Sequence, residues 1–525
     1  MRRIGIFGWG IVAPNSPNIE TFARNLETSE SWLEPFDGFG PNNFLVGVPD
    51  FSLEDYRQWL DERFGPSRIR QLRTKLGKST WYAIGAFIQA LQQNSGVEEV
   101  LQELGTEAHV YVGTCYGDLG ARYDESMKLR RAQRRWDRFW ASPDRNSALR
   151  EYLALSETDR SALDKVPPAP ESLDDADERE EAEDRWWSYW AGQSDALKDY
   201  LEELRRIEAA DISGDVEADT FAALKERRKQ SKRLAREWKA PTPPWETVPA
   251  SVLYDIPTMP ASQISMIGRI TGLVVAPVAA CATFAVALKQ AVDAIRYGTA
   301  RAVVVGATEP PPHPLTVGSF YDARVLSADY SVSKPLTGLR GTHLSGGSAV
   351  WIVGDMDFFT SRGLKPLGME PLVVGASADA EHIITPSAEG PLKAIRQALT
   401  MTGVDSREIG TWDVHATGTP GDYAEITNLR RVVPDQVWVT AYKGTFGHGI
   451  AVASGWELTA QYLGVEKRRL YPTLLTPEEL NREIEKVHQR FVFSSGLPLP
   501  AGVAGKLSMG IGGINACVIS RPLAD

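Results

Sequence analysis

Short apolar runs alternate with amphipathic stretches along most of this 525-residue chain, and that alternation limits the possible folds more than any other feature. The strand-like runs are IGIFGWGIVAP (4–14), AHVYVGTCYG (108–117), TGLVVAPVAA (271–280), RAVVVGATE (301–309), SAVWIVGDM (348–356), LVVGASADA (372–380), WDVHATGTP (412–420) and QVWVTAYKG (436–444). Helix-like stretches stand between several of them: IETFARNLE, STWYAIGAFIQALQQ, TFAVALKQAVDAIRYG, PLKAIRQALTMTG and SGWELTAQYLGV. Strands alternating with helices imply an α/β protein with buried sheets. No short repeat period is visible.

The pattern breaks once. Residues 121–246 hold 53 charged side chains in 126 positions, against 72 in the remaining 399. MKLRRAQRRWDRFW, ALKDYLEELRRIEAA and FAALKERRKQSKRLAREW read as charged amphipathic helices, with the acidic stretch ESLDDADEREEAED between them. Seven of the fifteen tryptophans fall here, which an unfolded linker would not concentrate. The segment reads as a helical subdomain or flap inserted into the α/β protein.

Overall, 43% hydrophobic residues supply a sizeable core and exclude global disorder. A net charge of −11 argues against nucleic acid or an anionic membrane as a bulk partner. Cys115, Cys281 and Cys517, without C-x-x-C spacing, exclude a disulfide framework and a zinc ribbon, and suit a reducing, cytoplasmic compartment. Two segments imitate membrane signals. Residues 2–14 carry two arginines before an apolar run, but three glycines interrupt it and no cleavage motif follows, so a buried first strand is expected. Residues 270–288 carry no charge but are broken by Pro277, so a strand, a turn and a helix start are expected, not a membrane span.

Three places combine reactive residues with loop context. Cys281 follows an apolar strand-like run and opens a helix-like one. A thiol at a helix N-terminus meets unpaired N–H groups and the positive end of the macrodipole, both of which favour thiolate. A buried, inert Cys is the plainer reading of that segment alone. His415 ends WDVH before ATGTPGD, and His448 lies in KGTFGHG; each alone is equally compatible with a structural histidine. His109, His313, His343, His382 and His488 lack such context and read as structural. SMGIGGIN (508–515) clusters glycines that let backbone N–H groups approach a ligand, as an oxyanion hole needs, or simply turn between two strands.

Taken in order, these pieces resemble the β-ketoacyl synthases, thiolase-fold condensing enzymes of the Cys-His-His type. The family's Cys elbow, HGTGTP-like loop, KxxxGH-like loop and GFGGTN-like loop correspond to Ala280-Cys281-Ala282, His415 to Pro420, Lys443 to His448 and Gly510 to Asn515. The opening GIFGWGIVAPN resembles the family's first strand and turn, so the likeness covers roughly 1–120 and 247–525 and leaves the insert outside. It implies a layered α/β/α/β/α architecture with two mixed sheets plus an α-helical insert. The N-terminal half would span 1–360, interrupted by 121–246, and the C-terminal half 361–525.

The resemblance also implies a chemistry. Cys281 would take an acyl group from a thioester. A malonyl thioester would lose CO2 while His415 and His448 donate hydrogen bonds to its carbonyl oxygen, and the carbanion would attack the acyl-cysteine. Gly510, Ile511 and Gly512 would form the oxyanion loop, with Ile511 at the gate. Lys443 would orient the histidines through a carboxylate, Asp422 or Glu425, and Thr417 and Thr419 would contact pantetheine. No bound cofactor and no metal is implied; substrates would arrive on the phosphopantetheine of acyl carrier protein, with Arg70, Arg73 and Lys75 as its candidate dock. A homodimer, or a heterodimer with another ketosynthase-like subunit, is expected.

Departures are visible. The gating aromatic is Ile511 and its neighbour Met509, the acidic RDGFVxGEG stretch reads LRGTHLSGGSA with Gly341 and Gly347 at its acid positions, and the loop after His415 is one residue short. They keep open a non-catalytic, chain-length-factor-like partner subunit. A non-decarboxylating acyltransferase or thiolase is the other alternative; a thiolase needs a second reactive cysteine, and Cys517, in a strand-like context, reads as structural. The insert would cap the acyl tunnel, extend the dimer or recruit another protein.

Overall fold

The computed structural model describes residues 2–163, 165–209, 218–383 and 387–523. The chain forms two compact units, Met1–Gly120 with Leu253–Asp525, and Ala121–Val252.

The larger unit is built on two mixed sheets. The first runs Ile4–Val12, Gly347–Asp355, Ala302–Glu309, Ala108–Gly113, Val274–Val275 in spatial order, antiparallel over its first three strands and parallel over its last three. The second runs Arg490–Phe491, Trp438–Thr440, Ile409–Asp413, Val503–Gly510, Ile514–Pro522, Met369–Ala378, parallel up to Val503–Gly510 and antiparallel thereafter. Helix Lys78–Gln92 covers the outer face of the first sheet and helix Glu389–Thr402 that of the second. Helix Thr283–Arg296 touches strands of both sheets and lies between them. Five layers result, α/β/α/β/α. The middle helix can lie between two sheets because its buried faces are made largely of small residues, Ala285, Ala287 and Ala291 among them.

The apolar run at the N-terminus is the fully buried strand Ile4–Val12. Its glycines have a packing reason. A Cβ at Gly8 would stand 2.1 Å from the Ala90 carbonyl oxygen, and one at Gly10 1.9 Å from that of Ala86. Helix Lys78–Gln92 therefore rests its backbone directly on the strand. The run 271–280 contributes only the two-residue edge strand Val274–Val275 before the chain turns into the Cys281 segment. Among the described residues no helix is long and apolar enough to cross a membrane.

The smaller unit is helical, with Leu119–Ala141, Ala176–Gln193, Asp195–Glu208 and Ala218–Glu237 as its longest elements. Trp140 is fully buried at its centre, with ring centroids 5.4 Å from Trp136, 5.1 Å from Tyr200 and 6.0 Å from Trp238. Most of the acidic stretch is helix, not a spacer between helices. Asp175 caps Asp177 and Glu178 at its N-terminus, where negative charge is favoured. Further along, Asp184 pairs with Arg130 at 3.0 Å and Arg134 at 2.5 Å, and Glu183 with Arg138 at 2.5 Å, so the acidic helix is neutralised by the basic one. Residues 164 and 210–217 of the charged segment, including the end of the ALKDYLEELRRIEAA run, lie outside the described residues.

Gly10→Ala should destabilise the larger unit by about 3 kcal/mol, the upper range for overpacking a core, because the contact is with backbone that cannot rotate away. Denaturant unfolding of the variant against wild type measures this; an unchanged midpoint would mean that the helix does not rest on the strand as described.

Candidate active site

The nucleophile position is a strained turn. Ala280 adopts φ +48°, in the left-handed region that L-residues avoid, and a single 3-10 turn, Ala280–Ala282, delivers Cys281 to the start of helix Thr283–Arg296. Cys281 Sγ lies 3.0 Å from His448 Nε2. The His448 backbone is fixed by donating its N–H to the His343 carbonyl at 2.6 Å, after Gly447 turns the chain at φ +75°. His415 stands at the end of strand Ile409–Asp413, its ring edge-on to that of His448 with centroids 5.4 Å apart. The three side chains, far apart in sequence, share one cavity of about 330 Å³ with Thr417, Thr419 and Ile511. A wider, open groove of about 810 Å³ in the smaller unit, lined by Arg130, Asp184 and Tyr189, has neither Cys nor His.

The glycine loop completes the site. Gly510 to Ile514 is the tight turn between the last two strands, and it also comes against the nucleophile: a Cβ on Gly510 would lie 3.3 Å from the Cys281 nitrogen. The N–H groups of Ile511 and of Cys281 itself favour the charged form of the sulfur. The loop is thus the turn between two strands that the plainer reading expected, and it also abuts the cysteine. Gly512 shapes the turn at φ +91° and donates to the Ile383 carbonyl at 2.7 Å; it does not line the cavity.

Electrostatics keep the resting site uncharged. Burial pushes the Cys281 thiol up to about 11, against the pull of the Ile511 N–H and Lys443, so the helix start does not yield a standing thiolate. Burial, then the positive charges of Lys443 and Lys506, holds His415 and His448 well below the ordinary histidine range. Both rings are thus neutral at physiological pH, and each has one N–H to give.

The carboxylate that pairs with Lys443 is neither of those expected. Lys443 Nζ donates to the His415 carbonyl and to Glu457 Oε1, each at 2.5 Å. Asp422 instead accepts the N–H groups of Thr417, Gly418 and Leu336, and Glu425 those of His415 and Ala416. These two acids take up backbone donors of the loop, and Leu336 N–H, and it is Glu457 that bonds the ammonium. Burial raises them to about 6 and about 8. Sequence reasoning missed Glu457, Lys506 and Asp413, all buried. Their signal was a lone charge in an apolar run: WELTAQYL, VAGKLSM and GTWDV.

The glycines at the resemblance's acid positions are also placed. Gly341, at φ +125°, donates its N–H to the Gly418 carbonyl at 2.8 Å and so braces the His415 loop through its backbone. A Cβ on Gly347 would meet the Val12 carbonyl oxygen at 2.2 Å. His343 is buried and accepts the Ser333 N–H, and Cys517 is buried in the last strand with its thiol raised by burial, away from the cavity. Arg70, Arg73 and Lys75 lie on helix Pro66–Lys75 outside the cavity; Arg70 and Lys75 are exposed, and Arg73 pairs with Glu54 at 2.7 Å.

A cysteine on a strained turn, faced by two histidines and by the backbone of a terminal hairpin, lies on five alternating layers of a thiolase-like fold. Residues 217–354 match the N-terminal domain of β-ketoacyl synthases and residues 372–476 their C-terminal domain. The matched residues begin inside the charged segment and stop before the glycine hairpin, so they differ from the extent suggested by the motifs. Nodulation protein E of Rhizobium meliloti is 30% identical over 223 residues, 42% of this chain and 55% of that protein. A 3-oxoacyl-[acyl-carrier-protein] synthase 2 of Vibrio cholerae serotype O1 is 30% identical over 250 residues, 45% of this chain and 60% of that protein. The chain thus matches between half and two thirds of the length of these relatives. The solved structure of the ishigamide ketosynthase/chain length factor aligns over 100% of both chains with a TM-score of 0.67 and 18% identity, a likeness of fold.

Because burial keeps Cys281 protonated, its alkylation by iodoacetamide should rise steadily from pH 7 to pH 10 without levelling off below pH 8. The pH profile of the alkylation rate, read by intact mass with Cys281→Ala as blank, checks this. A rate already at its plateau by pH 7 would show a thiolate in the resting site.

Proposed function

We propose that this chain is a decarboxylating β-ketoacyl synthase acting in fatty acid or polyketide synthesis. The observation that carries the reading is the convergence of Cys281, His415 and His448 on one cavity, with sulfur and imidazole nitrogen in contact.

The chemistry follows from the geometry. The Cys281 sulfur attacks an acyl thioester; the new carbon–sulfur bond replaces that to pantetheine, which departs as a thiol. Because thiol and imidazole are both neutral at rest, charge develops only as the sulfur attacks, and the Ile511 and Cys281 N–H groups then stabilise the oxyanion. In the second half-reaction a malonyl thioester loses CO2. Its thioester oxygen gains the charge of an enolate, and the neutral His415 and His448 each donate an N–H to it. Removing one such donor typically costs about 10²- to 10³-fold in rate. The enolate carbon attacks the acyl-cysteine carbonyl, the carbon–sulfur bond breaks, a β-ketoacyl thioester leaves, and the expelled Cys281 thiolate takes a proton from water to restore the thiol. Thr417 and Thr419, whose hydroxyls lie 3.0 Å apart on the cavity wall, are suited to the pantetheine amides. No bound cofactor enters this scheme. An assembled triad argues for catalysis rather than a silent partner subunit.

In this reading the substrates ride on the phosphopantetheine of acyl carrier protein, docked on Arg70, Arg73 and Lys75. The unpaired thiols suit a reducing, cytoplasmic setting. Dimerisation has a physical basis too. The first sheet ends at Val274–Val275, flanked by Leu273, 54% exposed, and Val278, 61% exposed, and an apolar sheet edge invites pairing with a second ketosynthase-like subunit, like or unlike.

Intact mass after incubation with acyl thioesters should show one acyl group on wild type and none on Cys281→Ala; wild type left unmodified by every acyl donor would overturn the reading. Arg70→Glu with Lys75→Glu should raise KM for carrier-bound substrate about tenfold and spare small thioesters; equal effects on both substrates would remove the dock. Leu273→Asp with Val278→Asp should halve the mass seen by light scattering, and an unchanged mass would place the interface elsewhere.

A further inference from the structure

Under the two histidines lies a chain of four buried charges, none of which takes part in the bond-making steps just described. Lys443 holds Glu457 Oε1; Glu457 Oε2 lies 2.7 Å from Lys506 Nζ; Lys506 lies 2.9 Å from Asp413 Oδ1; and the Thr440 hydroxyl donates to Asp413 Oδ2 at 2.8 Å. Lys506 and Asp413 face each other in register on adjacent parallel strands and are both 0% exposed. Lys506 also donates to the carbonyls of Val414, at 3.2 Å, and Leu507, at 2.9 Å. Two lysines therefore grip consecutive carbonyls of the same loop, Lys506 that of Val414 and Lys443 that of His415.

Burying an ammonium and a carboxylate costs several kcal/mol each before their attraction is counted, and apolar side chains of similar volume often serve stability as well or better. Stability alone does not call for Lys506 there. Its position offers another use. Lys506 lies on strand Val503–Gly510, which leads into the hairpin carrying Ile511, and its ammonium reaches across to Val414, between strand Ile409–Asp413 and His415. Its ammonium bonds a backbone carbonyl on each side, Leu507 on its own strand and Val414 just before His415.

Resting on the synthase reading above, we propose that Lys506, with Asp413 as its counter-ion, is a positioning residue for decarboxylation: it holds the Val414 carbonyl at the base of the His415 loop and keeps positive charge beneath both imidazoles. The groups around His415 are Lys443 and His448 from the KGTFGH loop, Lys506 from the hairpin strand, Glu425 from the following helix, and Glu457 and Asp413 behind the lysines. Of these, Lys443, His448 and Lys506 lower the proton affinity of His415 beyond what burial does. A protonated His415 has no place in a site that must also bind Lys443, so removing Lys506 should let the ring gain a proton at higher pH and lose decarboxylation there.

The test uses Lys506→Met combined with Asp413→Asn, which removes both charges and keeps the interior neutral, and Lys506→Arg, which keeps the cation. Cys281 acylation by a small acyl thioester and CO2 release from a malonyl thioester are measured from pH 5 to pH 9. In the double variant acylation should stay within about twofold of wild type. CO2 release should fall at least tenfold at neutral pH, with its acidic limb moved to higher pH; Lys506→Arg should keep the wild-type limb. Acylation and CO2 release falling together in both variants, or a limb unmoved in the double variant, would reduce Lys506 to a packing role and overturn the proposal while leaving the synthase reading intact. Wild type that is neither acylated nor able to release CO2 would remove that reading, and this proposal with it.

Discussion

A sulfur atom and an imidazole nitrogen 3.0 Å apart, contributed by residues separated by 167 positions, are the contact on which the rest of this structure turns. Neither group is placed by its own segment alone. Cys281 is presented by a strained turn leaving the first sheet, His448 by a loop hung from the His343 carbonyl, and the glycine hairpin closes from the second sheet. The middle helix joins these parts, because Thr283–Arg296 starts at the nucleophile and touches both sheets. The alternation of strand and helix is thus the device by which distant chemistry is brought to one point.

The site is quiet by construction. Its thiol is raised and its imidazoles are lowered by the same dry surroundings, so neither ion forms before substrate arrives. Charge is instead stored one layer down, in lysines and carboxylates that neutralise one another. A neutral imidazole remains a good N–H donor to an enolate oxygen, and fixed positive charge beneath it discourages the protonated form that would compete. Burial and the lysines therefore act in one direction on the histidines and in opposite directions on the cysteine, whose thiolate the lysine favours and burial disfavours.

Much of this was legible in the sequence. Apolar runs located most sheet strands, since a strand covered on both faces leaves a continuous hydrophobic signature. The order Cys281, His415, Lys443, His448 and the glycine cluster located the candidate site, because each sits where a strand gives way to a loop. The run at 271–280 promised a longer strand than the two residues found, because apolar content alone does not distinguish a strand from the buried approach to a turn. The acidic stretch was not read as helix because its stabilising partners, Arg130, Arg134 and Arg138, are some 50 positions away. The supporting acid was misplaced for a similar reason. Asp422 and Glu425 are near His415 in sequence, but three-dimensional pairing favoured Glu457, and no local pattern announces a buried ion pair whose members lie on different elements.

The central claim is that two neutral histidines, distinct in role from the nucleophile, drive loss of CO2. It is tested most directly by following CO2 release and Cys281 acylation in parallel for His415→Ala. The expected result is acylation near the wild-type rate with CO2 release lowered by about 10²-fold or more, the cost of one oxyanion donor. CO2 release undiminished in that variant would contradict the assignment of this cavity to decarboxylative condensation.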